Sequence, residues 1–261
     1  MNARTNAVEP PAVNREQTAE ANRTASAIDP EEISSSLSGR VVYFGTSSEI
    51  KLAQYREIFS SFGLSIVRAP NVGRLIEPQL ESELDDPDFV VSHPLKFASR
   101  FIIQRNAVPY VTEDTMLVID ALSRTPGGAT GLPGADTKNW WHNLGNEGLL
   151  KILRDEHNRA ATLSCTIGAL LGSGDYSFAT FAVRGEISHE VRDAPAAYTQ
   201  LPRTNPYYFH KIFIPNGSVR TFAEMEADEF ESFDYRRGCV TKLLSEIGDK
   251  MASLPTQLSL L

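Results

Sequence analysis

Three short stretches of the sequence bring together side chains that could handle a phosphorylated ligand. Glu113-Asp114 sets two carboxylates side by side between apolar runs, with Asp120 further on. Such a pair can hold Mg2+ together with phosphate oxygens, or orient a water for attack. Thr46-Ser47-Ser48-Glu49-Ile50-Lys51 combines hydroxyl donors, the free N–H groups of a helix start and one ammonium, which together make a phosphate cradle. It is not a P-loop, because the Gly-Lys-Ser/Thr pattern is missing. Tyr235-Arg236-Arg237-Gly238 puts two guanidinium groups at a helix start, where they oppose the helix dipole unless an anion compensates. Tyr207-Tyr208-Phe209-His210-Lys211 adds rings beside a lysine, a set that can stack on a base or pack as a strand edge. Each stretch also has an ordinary structural explanation: helix caps, a solvated acidic turn, an exposed arginine pair.

Several chemistries are excluded. The histidines at 93, 142, 157, 189 and 210 show no zinc-binding spacing, and no G-x-S-x-G nucleophile turn occurs. With only Cys165 and Cys239, neither a four-cysteine zinc site nor a disulfide framework can be built. A net charge of -8 argues against a phosphate-tracking nucleic-acid surface. No apolar run approaches the roughly 18 residues of a membrane span. The first residues lack a secretion-type apolar stretch, and Glu9, Glu16 and Glu20 disfavour a transit peptide, so a soluble cytoplasmic protein is expected.

The elements that must position these side chains can be read from periodicity. Residues 1–39 have no aromatic residue and few large aliphatics, and are expected to be a disordered tail, with at most a helical turn near Pro30–Ile33. One domain is expected over 40–261. Val41–Phe44 reads as a buried strand, the Thr46–Ser48 turn as a cap, and Ile50, Leu52, Tyr55, Ile58 and Phe59 as one helix face. Leu64–Val67 reads as a second strand, giving the opening of an α/β domain. An acidic stretch (77–88) and a helix (94–104) follow. Tyr110–Thr112 and Leu117–Asp120 read as two strand pieces flanking a turn at Glu113-Asp114. Thr125–Gly134 reads as a loop and 146–155 as a helix. Strands are expected at 162–171, 177–184, 186–192 and 212–214, with turns at 172–174 and Gly185, and a last helix from Gly238. The class is mixed α/β with a long antiparallel middle.

In their order, these segments resemble the inosine triphosphate pyrophosphatase, or Ham1-like, family over most of 40–247. Phe44–Leu52 with Tyr55-Arg56-Glu57-Ile58 is similar to its opening T-G-N-x-G-K-L loop and helix, and Ser92–Ala98 falls where its E-N-A-x-x-K-A helix belongs. Glu113–Leu122 parallels D-D-S-G-L-x-V-D-A-L, and Thr125-Pro126-Gly127 its A-P-G. Ile212–Pro215 with Thr221–Met225 is close to I-F-I-P…T-F-A-E-M, and Arg237-Gly238 matches the end of S-H-R-G. The resemblance implies an elongated mixed sheet with two lobes around a central nucleotide cleft. It also implies a homodimer that uses Mg2+ to split ITP, dITP or XTP into monophosphate and pyrophosphate. Carried over residue by residue, Asp114 would activate water or hold the metal, with Glu113 beside it. Thr46, Ser47, Ser48 and Lys51 would hold phosphates, with Phe209, Lys211, Arg236 and Arg237 at the nucleotide. Arg237 would read a 6-keto base and Phe209 or Tyr208 would stack on it, so ITP should bind better than ATP.

The chain departs from the family at chemistry-bearing positions. Val91 stands for the metal-binding Glu, Ser48 for the loop Asn, His210 for the Asp of G-F-G-Y-D-P, Glu231 for a Lys, and Tyr235-Arg236 for Ser-His. Each lost charge-assisted contact is worth about 1.5–3 kcal/mol, so hydrolysis is expected to be weakened, unless an acid from 81–88 substitutes. The alternative implied is a nucleotide-sensing subunit signalling to an effector protein, as in anti-phage defence.

Overall fold

The computed structural model describes residues 41–46, 48–69, 109–122, 132–134, 137–171, 175–193 and 209–252. The expected tail, the acidic stretch, the 94–104 helix, Val91, Ser47, Tyr207 and Tyr208 lie outside the described residues. Strand β1 (Val41–Phe44), helix α1 (Glu49–Ser60) and strand β2 (Ser65–Arg68) form the expected opening, with β1 and β2 parallel. Next come β3 (Tyr110–Ile119), β4 (Leu132–Gly134), α2 (Thr137–Ile152), β5 (Ala160–Leu170) and β6 (Tyr176–Ile187). The chain continues through β7 (Phe213–Pro215), α3 (Ala227–Glu231) and α4 (Tyr235–Ala252). The described strands make one mixed sheet in the order β2-β1-β3-β5-β6-β7, with β4 also paired to β3.

Local chemistry sets the opening. Ser48 caps α1, its Oγ accepting from the Lys51 N–H at 3.2 Å, and Thr46 Oγ1 accepts from the Ser48 N–H at 3.1 Å. Leu52, Tyr55, Ile58 and Phe59 form the buried helical stripe. That stripe shares one buried cluster with Leu163, Cys165 and Ile167 of β5 and with Cys239, Val240 and Leu243 of α4, and the Tyr55 hydroxyl meets Cys165 Sγ at 3.4 Å. The core therefore lies between one face of the sheet and the pair α1 and α4.

Several boundaries differ from the sequence expectation. Glu113-Asp114 is no turn; β3 runs unbroken through it because β5 pairs with all ten of its residues. In place of the two strands expected at 177–184 and 186–192 there is one, β6, which ends at Ile187 and has Gly185 inside it, and 188–192 is not strand. A Cβ at Gly185 would lie 2.2 Å from the Ile214 carbonyl oxygen, so glycine is there for the close approach of β7, not for a turn. Leu132–Gly134, expected as loop, adds a short strand to β3. Helix α2 starts at Thr137 and kinks at Gly145 (φ 61°), and α4 starts at Tyr235 rather than Gly238. The reason for the early start is Asp234, whose Oδ1 accepts from the N–H groups of Arg236 and Arg237 at 3.1 and 3.0 Å. Among the described residues no helix is long and apolar enough to cross a membrane.

Candidate active site

The edge of β3 is split. Its first residues pair with β1 (Tyr43↔Tyr110, Phe44↔Val111) and its last with β4, from Leu117 onward. Between them, residues 112–116 have no strand partner on that side among the described residues. The C-terminal end of β1 and the start of α1 meet this gap, the kind of break where α/β sheets bind ligands. Gly45 closes the junction: its N–H donates to the Val111 carbonyl at 2.8 Å, and a Cβ there would sit 2.0 Å from the Tyr110 hydroxyl.

Strand alternation then separates the two carboxylates. Glu113 and Thr115 point to the α1/α4 side, whereas Asp114 shares the other face with Thr112 and with its cross-strand neighbour Thr166. Thr166 in turn meets Thr180, Oγ1 to Oγ1, at 2.9 Å. Asp114 is 8% exposed.

Glu113 has a side-chain exposure of 0% and sits between two cations. Lys51 Nζ is 3.0 Å from its Oε2, and Arg236 Nε 3.9 Å from its Oε1. Thr115 donates its hydroxyl to Oε1, and the Cys165 thiol lies 3.6 Å from the same oxygen. Arg236 also donates to Thr115 Oγ1 at 3.4 Å and to the Tyr235 hydroxyl, and its guanidinium lies over the Tyr235 ring. Burial alone would raise the pKa of Glu113, but Lys51 and Arg236 outweigh it and hold the group below the usual carboxylate range. For Lys51, burial lowers the pKa, and Glu113 with Asp114 more than reverses this, so the ammonium is held in its charged form. Behind Arg236, the His210 Nε2 meets the Tyr235 hydroxyl at 3.2 Å inside a nest of Phe209, Phe222 and Phe230. Burial first, then Arg236, push His210 down to about 3, so this imidazole is neutral.

The expected site residues fall into separate groups. Thr46, Ser48, Lys51, Glu113 and Asp114 gather at the break, and Arg236 joins them through Glu113. Arg237 does not: its guanidinium donates to Ser61 Oγ at 3.0 Å, beyond the C-terminal end of α1, about 15 Å along the helix axis from Lys51. Lys211 is turned toward Asp193 in an exposed ion pair. Phe209 is buried in a pocket lined with Leu117, Thr137, Trp140, Trp141 and Leu149. Leu117 is two residues past Thr115 on the same face, so this pocket begins about 7 Å beyond the charged cluster. The arginine pair at the helix start is compensated from within the chain, by Glu113 for Arg236 and by Asp234 for the two N–H groups. Sequence reading missed Thr115, Tyr235, Cys165 and His210 as members of the cluster. The period-2 spacing of 113 and 115 carried the signal for Thr115; Tyr235 and His210 stood out only as departures from the family motifs, and nothing local marked Cys165.

The donor set fits Mg2+ only in part. Both Glu113 oxygens are engaged by cations and hydroxyl, which leaves that carboxylate no room for a metal. Asp114 alone fits, since Mg2+ is commonly held by one or two carboxylates plus substrate phosphates. Among the described residues no group of three or more His, Cys, Asp or Glu could hold a metal ion.

The sequence profile of the Ham1 family matches residues 42–246. A dITP/XTP pyrophosphatase of Hyperthermus butylicus is 29% identical over 200 residues, covering 77% of this chain and 90% of that protein. One from Korarchaeum cryptofilum is 32% identical over 164 residues, 63% of this chain and 76% of its own length. Among solved structures, a HAM1 protein from Coxiella burnetii superposes with a TM-score of 0.59 at 18% identity, covering 81% of this chain and 99% of that one. The Staphylococcus aureus Ham1 protein gives 0.58 at 15% identity, covering 81% and 100%. These structural likenesses carry the fold.

Proposed function

The chain belongs to the Ham1 family, and from that premise we propose that it hydrolyses inosine- or xanthosine-type nucleoside triphosphates to the monophosphate and pyrophosphate. The observation that carries this reading is the pairing of a charged Lys51 with Glu113 and Asp114 at the break in the sheet, next to the capped start of α1. The reading is supported by the names of its relatives, dITP/XTP pyrophosphatases.

Lys51 and the N-terminal N–H groups of α1 would receive the phosphate chain, with the Thr46 and Ser48 hydroxyls lining the turn. Asp114 would orient a water toward the α-phosphorus and take its proton as the water oxygen joins phosphorus, the bond to the bridging oxygen breaks, and pyrophosphate leaves. Mg2+, held by Asp114 and the triphosphate, would supply charge neutralisation on the phosphate oxygens. Arg236, rather than Arg237, would meet the phosphates, because it shares Glu113 with Lys51. The aromatic pocket at Phe209, Trp140 and Trp141 lies further along the same face, where a base could lie against rings.

A second reading, a sensor that binds the nucleotide without turnover, is supported by the engagement of Glu113 and by Val91 in place of an acid. One experiment separates the two: pyrophosphate release from ITP, dITP, XTP and ATP with Mg2+, beside calorimetric binding of the same nucleotides. Turnover of ITP above ATP supports the enzyme; binding without release supports the sensor and the search for an effector. Neither binding nor release would overturn both. The homodimer that the family resemblance implies is checked by light scattering.

A further inference from the structure

In a site built for Mg2+, neighbouring carboxylates repel one another until the metal arrives. Glu113 shows the opposite condition. Its side chain is fully buried among cations and hydrogen-bond donors: Lys51 at 3.0 Å, Arg236 at 3.9 Å, the Thr115 hydroxyl, and the Cys165 thiol at 3.6 Å. Lys51 comes from α1 and Arg236 from the first turn of α4, so one carboxylate ties two helices to β3. Arg236 is held further by the neighbouring Tyr235 hydroxyl and by Thr115 of β3.

We infer that Glu113 is a positioning residue: a buried counter-anion that fixes Lys51 and Arg236 for the triphosphate, and not a ligand of the metal. Metal binding then falls to Asp114 and the phosphates of the nucleotide itself. Two like charges brought to one small site would otherwise separate or leave it, and the phosphate chain would meet two mobile side chains in place of a fixed pair. This inference rests on the reading that the site takes a nucleoside triphosphate, but its first test does not need turnover.

The test is a double-variant cycle on the full chain in EDTA, read by thermal unfolding. Removing one member of a buried ion pair leaves an uncompensated charge, whereas replacing both is close to neutral. Glu113→Gln should lower Tm on the order of 10 °C. The double variant Glu113→Gln/Arg236→Met should recover much of the loss that each single change causes. If the single variant does not fold and the double variant does, the inference stands; if neither folds, it fails. A metal-ligand role gives a different outcome, with Tm in EDTA unchanged or raised by Glu113→Gln, because a repelling charge has gone.

The second arm uses ITP turnover below the melting range. Positioning predicts a kcat lowered about 10- to 100-fold with the half-saturating Mg2+ concentration unchanged within about twofold. A tenfold rise in that concentration overturns the inference, and so does a wild-type kcat. If the wild-type protein turns over no ITP, the enzymatic reading fails while the melting cycle still decides the role of Glu113.

Discussion

Glu113 and Asp114 are consecutive on β3 and live in different surroundings. The first points to the side of the sheet covered by α1 and α4, into a closed cluster of two cations, a hydroxyl and a thiol. The second points to the opposite side, among threonines of β3 and β5. Both are carboxylates, and only strand alternation tells them apart. The lesson is that an acidic pair on a strand offers two single acids, each with the chemistry of its own face. An acidic pair at a turn would have converged on one ligand. Glu113 serves position and stability, whereas Asp114, which also acts on Lys51, is the carboxylate assigned to reaction in the proposed function.

The largest expected effect tests the reactive side. Asp114→Asn should reduce pyrophosphate release by about 1,000-fold or more while moving unfolding free energy by less than about 1 kcal/mol. A variant that keeps a tenth of wild-type turnover would break the division between the two faces.

On the closed side, Arg236→Met should cost about 3–4 kcal/mol in denaturant unfolding, because Glu113 is left buried with one partner. A loss under about 1 kcal/mol would mean that water reaches Glu113 and that the cluster is not closed.

The neutral His210 behind Arg236 gives a pH signature. Its pKa is about 3 in the folded chain against an ordinary value of 6.5, so below pH 6.5 the unfolded chain takes up a proton that the folded chain refuses. This contribution to stability is intact above pH 6.5, and falls by about 1.4 kcal/mol per pH unit as pH drops toward 3. Comparing unfolding of wild type and His210→Phe between pH 7 and 4.5 isolates it; parallel curves would show that the imidazole is not shielded.

The smallest effect belongs to Arg237. Its half-exposed contacts with Ser61 and Asp234 predict a stability loss below about 1 kcal/mol for Arg237→Ala. With the guanidinium turned away from Lys51, the preference for ITP over ATP should also survive within about threefold. Loss of that preference would return base reading to Arg237 and redraw the boundary of the site.

Much of this was legible in local sequence. The β-branched run at 41–44, the Ser48 cap and the Leu52-Tyr55-Ile58-Phe59 stripe are short-range signals, and all of them became the elements they suggested. Glu113-Asp114 is visible as a chemical pair, but its local sequence suggests a turn. Acidic residues disfavour strands on average, and the pairing with β5 that overrides this preference lies some fifty residues away. Gly185 misled for a similar reason, since the Ile214 carbonyl that excludes a side chain there belongs to a later strand.

The sequence by itself determined the class of the fold, the order of its elements and the residue types available for phosphate chemistry, because periodicity, caps and motif order act over a few residues. Tertiary structure alone decided which carboxylate faces the cations, that Arg236 and not Arg237 reaches Glu113, and that His210 is neutral. Those outcomes depend on which side of a strand a residue occupies and on what a distant helix brings against it. Burial and Coulomb attraction act through space, between residues that lie on different elements far apart in the chain.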